Sequence, residues 1–397
     1  MKYKYGYKQL RYSSLILVLI VHSFLCFGQN PQFTSKIRYY EIESMTGTVV
    51  PNYRTYPVAG VRTGLGITLG SIDTVSSPLN HYFNYPKKGI YLGVHTLGND
   101  SIYGNEVSLM PVIELKSGDN WSFRLGLGLS YFSKTYKDHE RNLMVGSNLA
   151  WGFQTILYRY IPLRNNNQLK LGAAFLHGSN GHTQLPNYGI NSAVLSVGIQ
   201  YLSKKVLLPE RNRMAYKGSR EWMFTYRVGA GFHELGSTTK PIGGPKRPIY
   251  NTSFAVGVVL KKQFKLQTGL GYRYYQQYAD YISDHPEIKD SSLNANNVYF
   301  LLGAEFFIRH VSMVVEGGIN LYKPFYPYFA EVFKNTDTFG YQLEKIFLSR
   351  VGLNFYLIDT SKSPKHNVYL GTQLHANFGQ ADFTGVSIGY LVKLSNP

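Results

Sequence analysis

Apolar and polar residues alternate along nearly the whole chain with a period of two. Over residues 121–131, Trp121, Phe123, Leu125, Leu127, Leu129 and Tyr131 share one side and Ser122, Arg124, Gly126, Gly128 and Ser130 the other. That is the pattern of a β-strand with one apolar face. Comparable segments occupy 61–69, 107–115, 145–153, 222–232, 254–260, 264–274, 298–308, 311–321, 347–357, 368–378 and 384–392, with less regular ones at 37–49 and 90–95. A hairpin over 169–201 completes a set of about sixteen strands, an even number as a closed bacterial membrane barrel requires. No segment carries convincing helical periodicity, so the expected fold is all-β, a transmembrane antiparallel β-barrel of about 14–16 strands.

The connections between these segments are unequal. Those at 116–120, 261–263, 309–310 and 359–365 are short, whereas 276–295 and 322–340 are long. Outer-membrane barrels pair short periplasmic turns with longer external loops, which places the turn at 181–190 outside. The break at 203–220 admits two tandem eight-stranded barrels. No soluble-looking linker separates the halves, however, and one barrel over 29–397 is the simpler expectation, with strands at 36–202 and further strands at 220–397.

Composition fits a lipid environment. Tyr (34), Phe (23) and Gly (39) are abundant while charged residues make up only 16%, a balance unusual for a water-soluble domain. No stretch is long and apolar enough for a spanning helix of roughly 20 residues. At the N-terminus, Lys2, Lys4, Lys8 and Arg11 precede an apolar run that ends near Phe27, and residues 1–28 read as a cleaved secretory signal peptide. Cys26, the single cysteine, lies inside that segment, which leaves no thiol chemistry for the mature chain. The net charge of +18 suits an anionic partner. For an exported barrel the nearest such partner is lipopolysaccharide phosphate in the outer-membrane lipid, and a basic lumen or basic loops without a dedicated ligand account for the charge equally well. No role for nucleic acid is expected, and homodimerisation is left open.

One hairpin breaks the pattern. His177 and Ser179 lie on the otherwise apolar face of 169–179, and Asn191 opens the apolar face of the partner strand. A serine nucleophile needs an imidazole base, a group that orients the imidazole, and donors for the developing oxyanion. Ser179, His177, Asn191 and the Asn180–Gly181 turn could fill those roles at the edge of a bilayer, where the available ester belongs to a lipid. A lone His-x-Ser more often just marks the polar end of a strand. The acidic run Asp280, Asp284, Glu287 and Asp290 could bind divalent cations but reads first as a solvated surface.

The segment His177-Gly178-Ser179-Asn180-Gly181, followed by Leu185-Pro186-Asn187-Tyr188-Gly189-Ile190-Asn191, resembles the motif of the PagL-type lipid A 3-O-deacylases, outer-membrane acyloxyacyl hydrolases. The resemblance implies hydrolysis of an ester-linked acyl chain of lipid A, with His177 as base, Ser179 as nucleophile, Asn180 and Gly181 at the oxyanion, and no cofactor or metal. The position of the family's glutamate falls on Asn191, whose amide oxygen can still orient a histidine tautomer. The alternatives are a transport or channel barrel with a water-filled lumen, and a structural barrel with an attenuated site.

Overall fold

The computed structural model describes residues 36–53, 55–75, 80, 83–118, 120–204, 220–237, 240–241, 245–288, 290–334 and 339–395. The expected signal peptide lies outside the described residues. The first eight strands are β1 (Lys36–Val50), β2 (Val61–Asp73), β3 (Lys87–Thr96), β4 (Asn105–Ser117), β5 (Trp121–Phe132), β6 (Leu149–Pro162), β7 (Gln168–Ser179) and β8 (Ile190–Leu202). They form a closed ring in chain order. A second ring comprises β9 (Arg220–His233), β12 (Arg247–Leu260), β13 (Phe264–Tyr275), β14 (Asn296–Ile308), β15 (Val311–Tyr322), β16 (Phe347–Tyr356), β17 (His366–Asn377) and β18 (Gln380–Ser395). A small ribbon, β10 (Gly236–Ser237) with β11 (Lys240–Pro241), lies in its first loop.

The strand number matches expectation, but the single ring does not. β8 returns to β1 over an unbroken register from Tyr39↔Leu202 to Val50↔Asn191. β18 closes on β9 from Thr384↔Phe232 to Ser395↔Trp222, with one irregularity between Lys393 and Ser395. With β1 and β8 saturating each other's hydrogen-bonding edges, no edge remains for β9 to extend. Eight strands also close around a space that side chains can fill, whereas sixteen would enclose a channel. In the first barrel that space holds Arg124, which donates to Glu41 (2.6 Å), Glu43 (3.1 Å) and Glu114 (2.9 Å). Lys170 bridges Glu41 and Glu114 at 2.6 and 2.9 Å. The second barrel encloses Lys265 against Glu305 (2.5 Å), with Arg227 and Arg350 on Glu316. A water-filled lumen therefore does not follow from the strand count.

The opposite face of each strand is apolar and bare. Leu65, Leu195 and Val386 expose 63, 63 and 65% of their surface, while the ion pairs inside are buried. Apolar outside and charged inside is the polarity of a barrel whose wall faces lipid. Most connections at one end, such as 163–167 and 261–263, are short, although 74–86 is longer; at the other end 133–148, 276–295 and 323–346 are long, although β17 turns into β18 over 378–379 alone. The long loops carry helices at Gln276–Asp284, Phe325–Phe329 and Phe339–Ile346 that periodicity did not indicate. One or two turns are too few to print a helical repeat, and aromatic packing holds them, with Tyr278 stacked on Phe325 at 4.3 Å. Within the acidic run, Asp280 pairs with Arg247 at 2.7 Å.

The two barrels touch at both ends. At the short-loop end Arg309 reaches Asp73 (3.1 Å) and Phe83 packs edge-on against Phe306. At the long-loop end the contacts gather on the β7–β8 connection.

Candidate active site on the outer wall of the first barrel

His177 on β7 and Asn191 on β8 are directly paired positions, so both side chains point out from the barrel on the same side of the sheet. His177 Nδ1 lies 2.7 Å from Asn191 Oδ1. An amide oxygen only accepts, so Nδ1 carries the hydrogen and Nε2 presents the basic lone pair. Ser179 lies two residues along β7, on the same face, opposite Trp151 of β6. Only 6% of Ser179 is exposed.

Gly189 keeps the space between them open. A Cβ at this position would stand 2.8 Å from His177 Cε1 and 3.2 Å from Ser179 Cβ, and the residue's φ of +73° is one that glycine adopts without strain. The imidazole and the serine therefore border a common gap that any larger residue would close.

The connecting loop is tied down by its own polar groups. The Asn180 amide donates to Asn187 Oδ1 (3.0 Å), and its side-chain Nδ2 donates to the Gln184 carbonyl (2.7 Å). The Asn180 backbone amide and one hydrogen of its side-chain NH2 thus serve the loop; its second side-chain hydrogen and the Gly181 amide are the candidate oxyanion donors. Neighbouring loops of the same barrel add support: the Gly189 amide donates to Met144 O (2.8 Å), Asn52 Nδ2 donates to Tyr188 O (2.9 Å), and Tyr53 stacks on Tyr188 at 4.4 Å. Burial raises the Tyr188 phenol above its ordinary value.

The second barrel reaches the same loop. Thr384 Oγ1 accepts from Trp151 Nε1 (3.0 Å) and donates to Asn180 O (3.4 Å). Glu234 Oε2 accepts from the Leu185 amide (2.8 Å), and His182 stacks on His233 with centroids 5.0 Å apart. Burial pushes the Glu234 carboxyl above its ordinary range, against the opposing pull of the Leu185 amide, Lys246 and Lys137. The structure thus brings together His177, Ser179 and Asn191, as the hairpin pattern suggested. Sequence reasoning missed Trp151, Thr384 and Glu234. Trp151 belongs to an alternating strand and looked like wall; the other two are distant in sequence and meet the loop only through the docking of the barrels.

Fold and site together define a class: a lipid-facing β-barrel of outer-membrane type with a hydroxyl, an imidazole and an amide grouped on its outer wall. Residues 65–200, from within β2 almost to the end of β8 and including the whole 177–191 motif, match the family model described as lipid A 3-O-deacylase (PagL). Among solved structures, the outer membrane enzyme PagL is 21% identical over 40% of this chain and 97% of its own, with a TM-score of 0.29. The NanC porin is 8% identical over 89% of this chain and 100% of its own (TM-score 0.17). The outer membrane protein opdK from Pseudomonas aeruginosa is 9% identical over 90% and 98% (TM-score 0.21). No curated relative matches the chain.

Proposed function

We propose that the protein is an outer-membrane esterase that removes an ester-linked acyl chain from lipid A, as a 3-O-deacylase does. The observation that carries this reading is the His177–Asn191 hydrogen bond on the lipid-facing wall with Ser179 at its side. Substrate enters laterally from the bilayer, with its acyl chain along the apolar wall and its ester at the level of the strand ends. Ser179 Oγ attacks the ester carbonyl carbon as His177 Nε2 takes the hydroxyl proton, and Asn191 holds the imidazole in the tautomer that allows this. The Gly181 amide stabilises the oxyanion. The tetrahedral intermediate then expels the sugar alkoxide, which takes the proton from His177. Water, deprotonated by the same nitrogen, attacks the acyl-serine carbonyl, and Ser179 leaves with the proton from His177 as the fatty acid is released. The long loops at the site end favour an external orientation, in the leaflet that holds lipopolysaccharide.

Mass analysis of lipid A from a Gram-negative host expressing the chain tests the reading. The expected result is loss of one hydroxyacyl chain with the wild-type protein and none with Ser179→Ala or His177→Ala. Identical lipid A from wild type and Ser179→Ala would overturn it.

A further inference from the structure

We infer that Thr384 of the second barrel is a positioning residue for the Ser179 nucleophile, and that the second barrel serves as the clamp of the first barrel's site. The inference rests on the esterase reading above.

The Thr384 hydroxyl stands where it can use its donor and an acceptor at once. It accepts the indole N–H of Trp151 at 3.0 Å and donates to the carbonyl of Asn180 at 3.4 Å. Trp151 is the cross-strand partner of Ser179, and Asn180 is its neighbour in the chain. One side chain therefore ties down the flank of the nucleophile on β6 and the peptide that follows it on β7. Contact continues at Gly181, where a Cβ would overlap Thr384 Oγ1 and Leu374 Cδ1, so the wall of the second barrel lies against the loop backbone. Farther along the loop, Glu234 holds the Leu185 amide at 2.8 Å. The loop that carries the candidate oxyanion amide is thus held at two points by groups the first barrel does not contain.

Below these contacts the walls are open. On β18, Val386 and Ile388 are exposed, as are Phe175 and Leu171 on β7. Docking at the strand ends touches the neighbours of the nucleophile, Trp151 and Asn180, while the apolar walls beneath are left accessible to an acyl chain. Misplacing a nucleophile by a fraction of an ångström slows the chemical step while leaving substrate binding to the wall largely intact.

The test uses the full-length chain in detergent–lipid micelles, with purified lipid A as substrate and hydrogen–deuterium exchange of residues 180–189 as a second readout. Thr384→Val keeps the shape and removes both hydrogen bonds; Thr384→Ser keeps the hydroxyl. The expected result is a fall in kcat of about tenfold or more for Thr384→Val with KM nearly unchanged, rescue by Thr384→Ser, and faster exchange over 180–189 in the valine variant alone. Unchanged kcat in Thr384→Val, or equal losses in the valine and serine variants, would overturn the positioning role. If wild type releases no more fatty acid than Ser179→Ala, the esterase reading falls. The clamp then stands if Thr384→Val speeds loop exchange and falls if exchange is unaltered.

Discussion

His177 and Asn191 are joined across adjacent strands by a 2.7 Å hydrogen bond, and that bond determines which imidazole nitrogen can act as a base. Because the acceptor is an amide, it fixes the tautomer without supplying the negative charge that would stabilise an imidazolium. Asn191→Ala should lower kcat by about 10- to 100-fold with little change in KM, since only the orientation of the base is lost. Asn191→Glu places a carboxylate at that position and should raise kcat above wild type. Fatty-acid release from lipid A measures both, and wild-type turnover in the alanine variant would remove Asn191 from the mechanism.

Gly189 links backbone conformation to the site. Its φ of +73° makes Gly189→Ala costly by about 1 kcal/mol, and the added methyl would enter the gap between His177 and Ser179. The expected outcome is a modest fall in the thermal midpoint with a much larger loss of turnover. A variant that loses stability but keeps full kcat would show that the gap is not used by substrate.

The alternation of residues such as Trp121 to Tyr131 made the strands legible because lipid and barrel interior impose opposite polarity on successive side chains. Ring closure was not legible in this way. Whether β8 pairs with β1 or with β9 depends on a register between Tyr39 and Leu202, far apart in the chain and written in backbone hydrogen bonds rather than side-chain types. The charged interior was equally hidden, since Glu41, Glu114, Arg124 and Lys170 each look like an ordinary polar strand position until the barrel brings them together. The triad candidates were visible because His177, Ser179 and Asn191 interrupt an apolar face within one hairpin. Thr384 and Glu234 interrupt nothing, and only docking of the second barrel gives them a partner in the loop.

The interior network of the first barrel sets a stability expectation. Arg124 has no exposed surface and holds three glutamates, so Arg124→Met would leave Glu41, Glu43 and Glu114 with only their remaining partners. Loss of one member of a buried charge cluster costs about 3–5 kcal/mol. Urea unfolding followed by the mobility difference between folded and unfolded barrel should show that scale of loss. A shift below about 1 kcal/mol would mean that Lys170 and the glutamates' other partners hold the cluster without the guanidinium.

The anchorage of the β7–β8 loop on Glu234 should depend on pH. Burial raises its carboxyl above the ordinary range even though the Leu185 amide and nearby lysines pull the other way. A carboxyl whose value in the folded protein lies above its unfolded value favours the folded state fully at pH below the unfolded value, and that contribution is lost as pH climbs through the elevated one. Wild-type protein should therefore lose thermal stability relative to Glu234→Gln as pH rises from below about 4.3, the unperturbed glutamate value, through the raised folded value. The glutamine keeps an oxygen to accept from the Leu185 amide but has no charge to bury, so its stability curve should lack this step. Parallel curves for the two proteins across that range would show that the Glu234 carboxylate is solvated, and that burial of its charge does not weaken the link between the barrels.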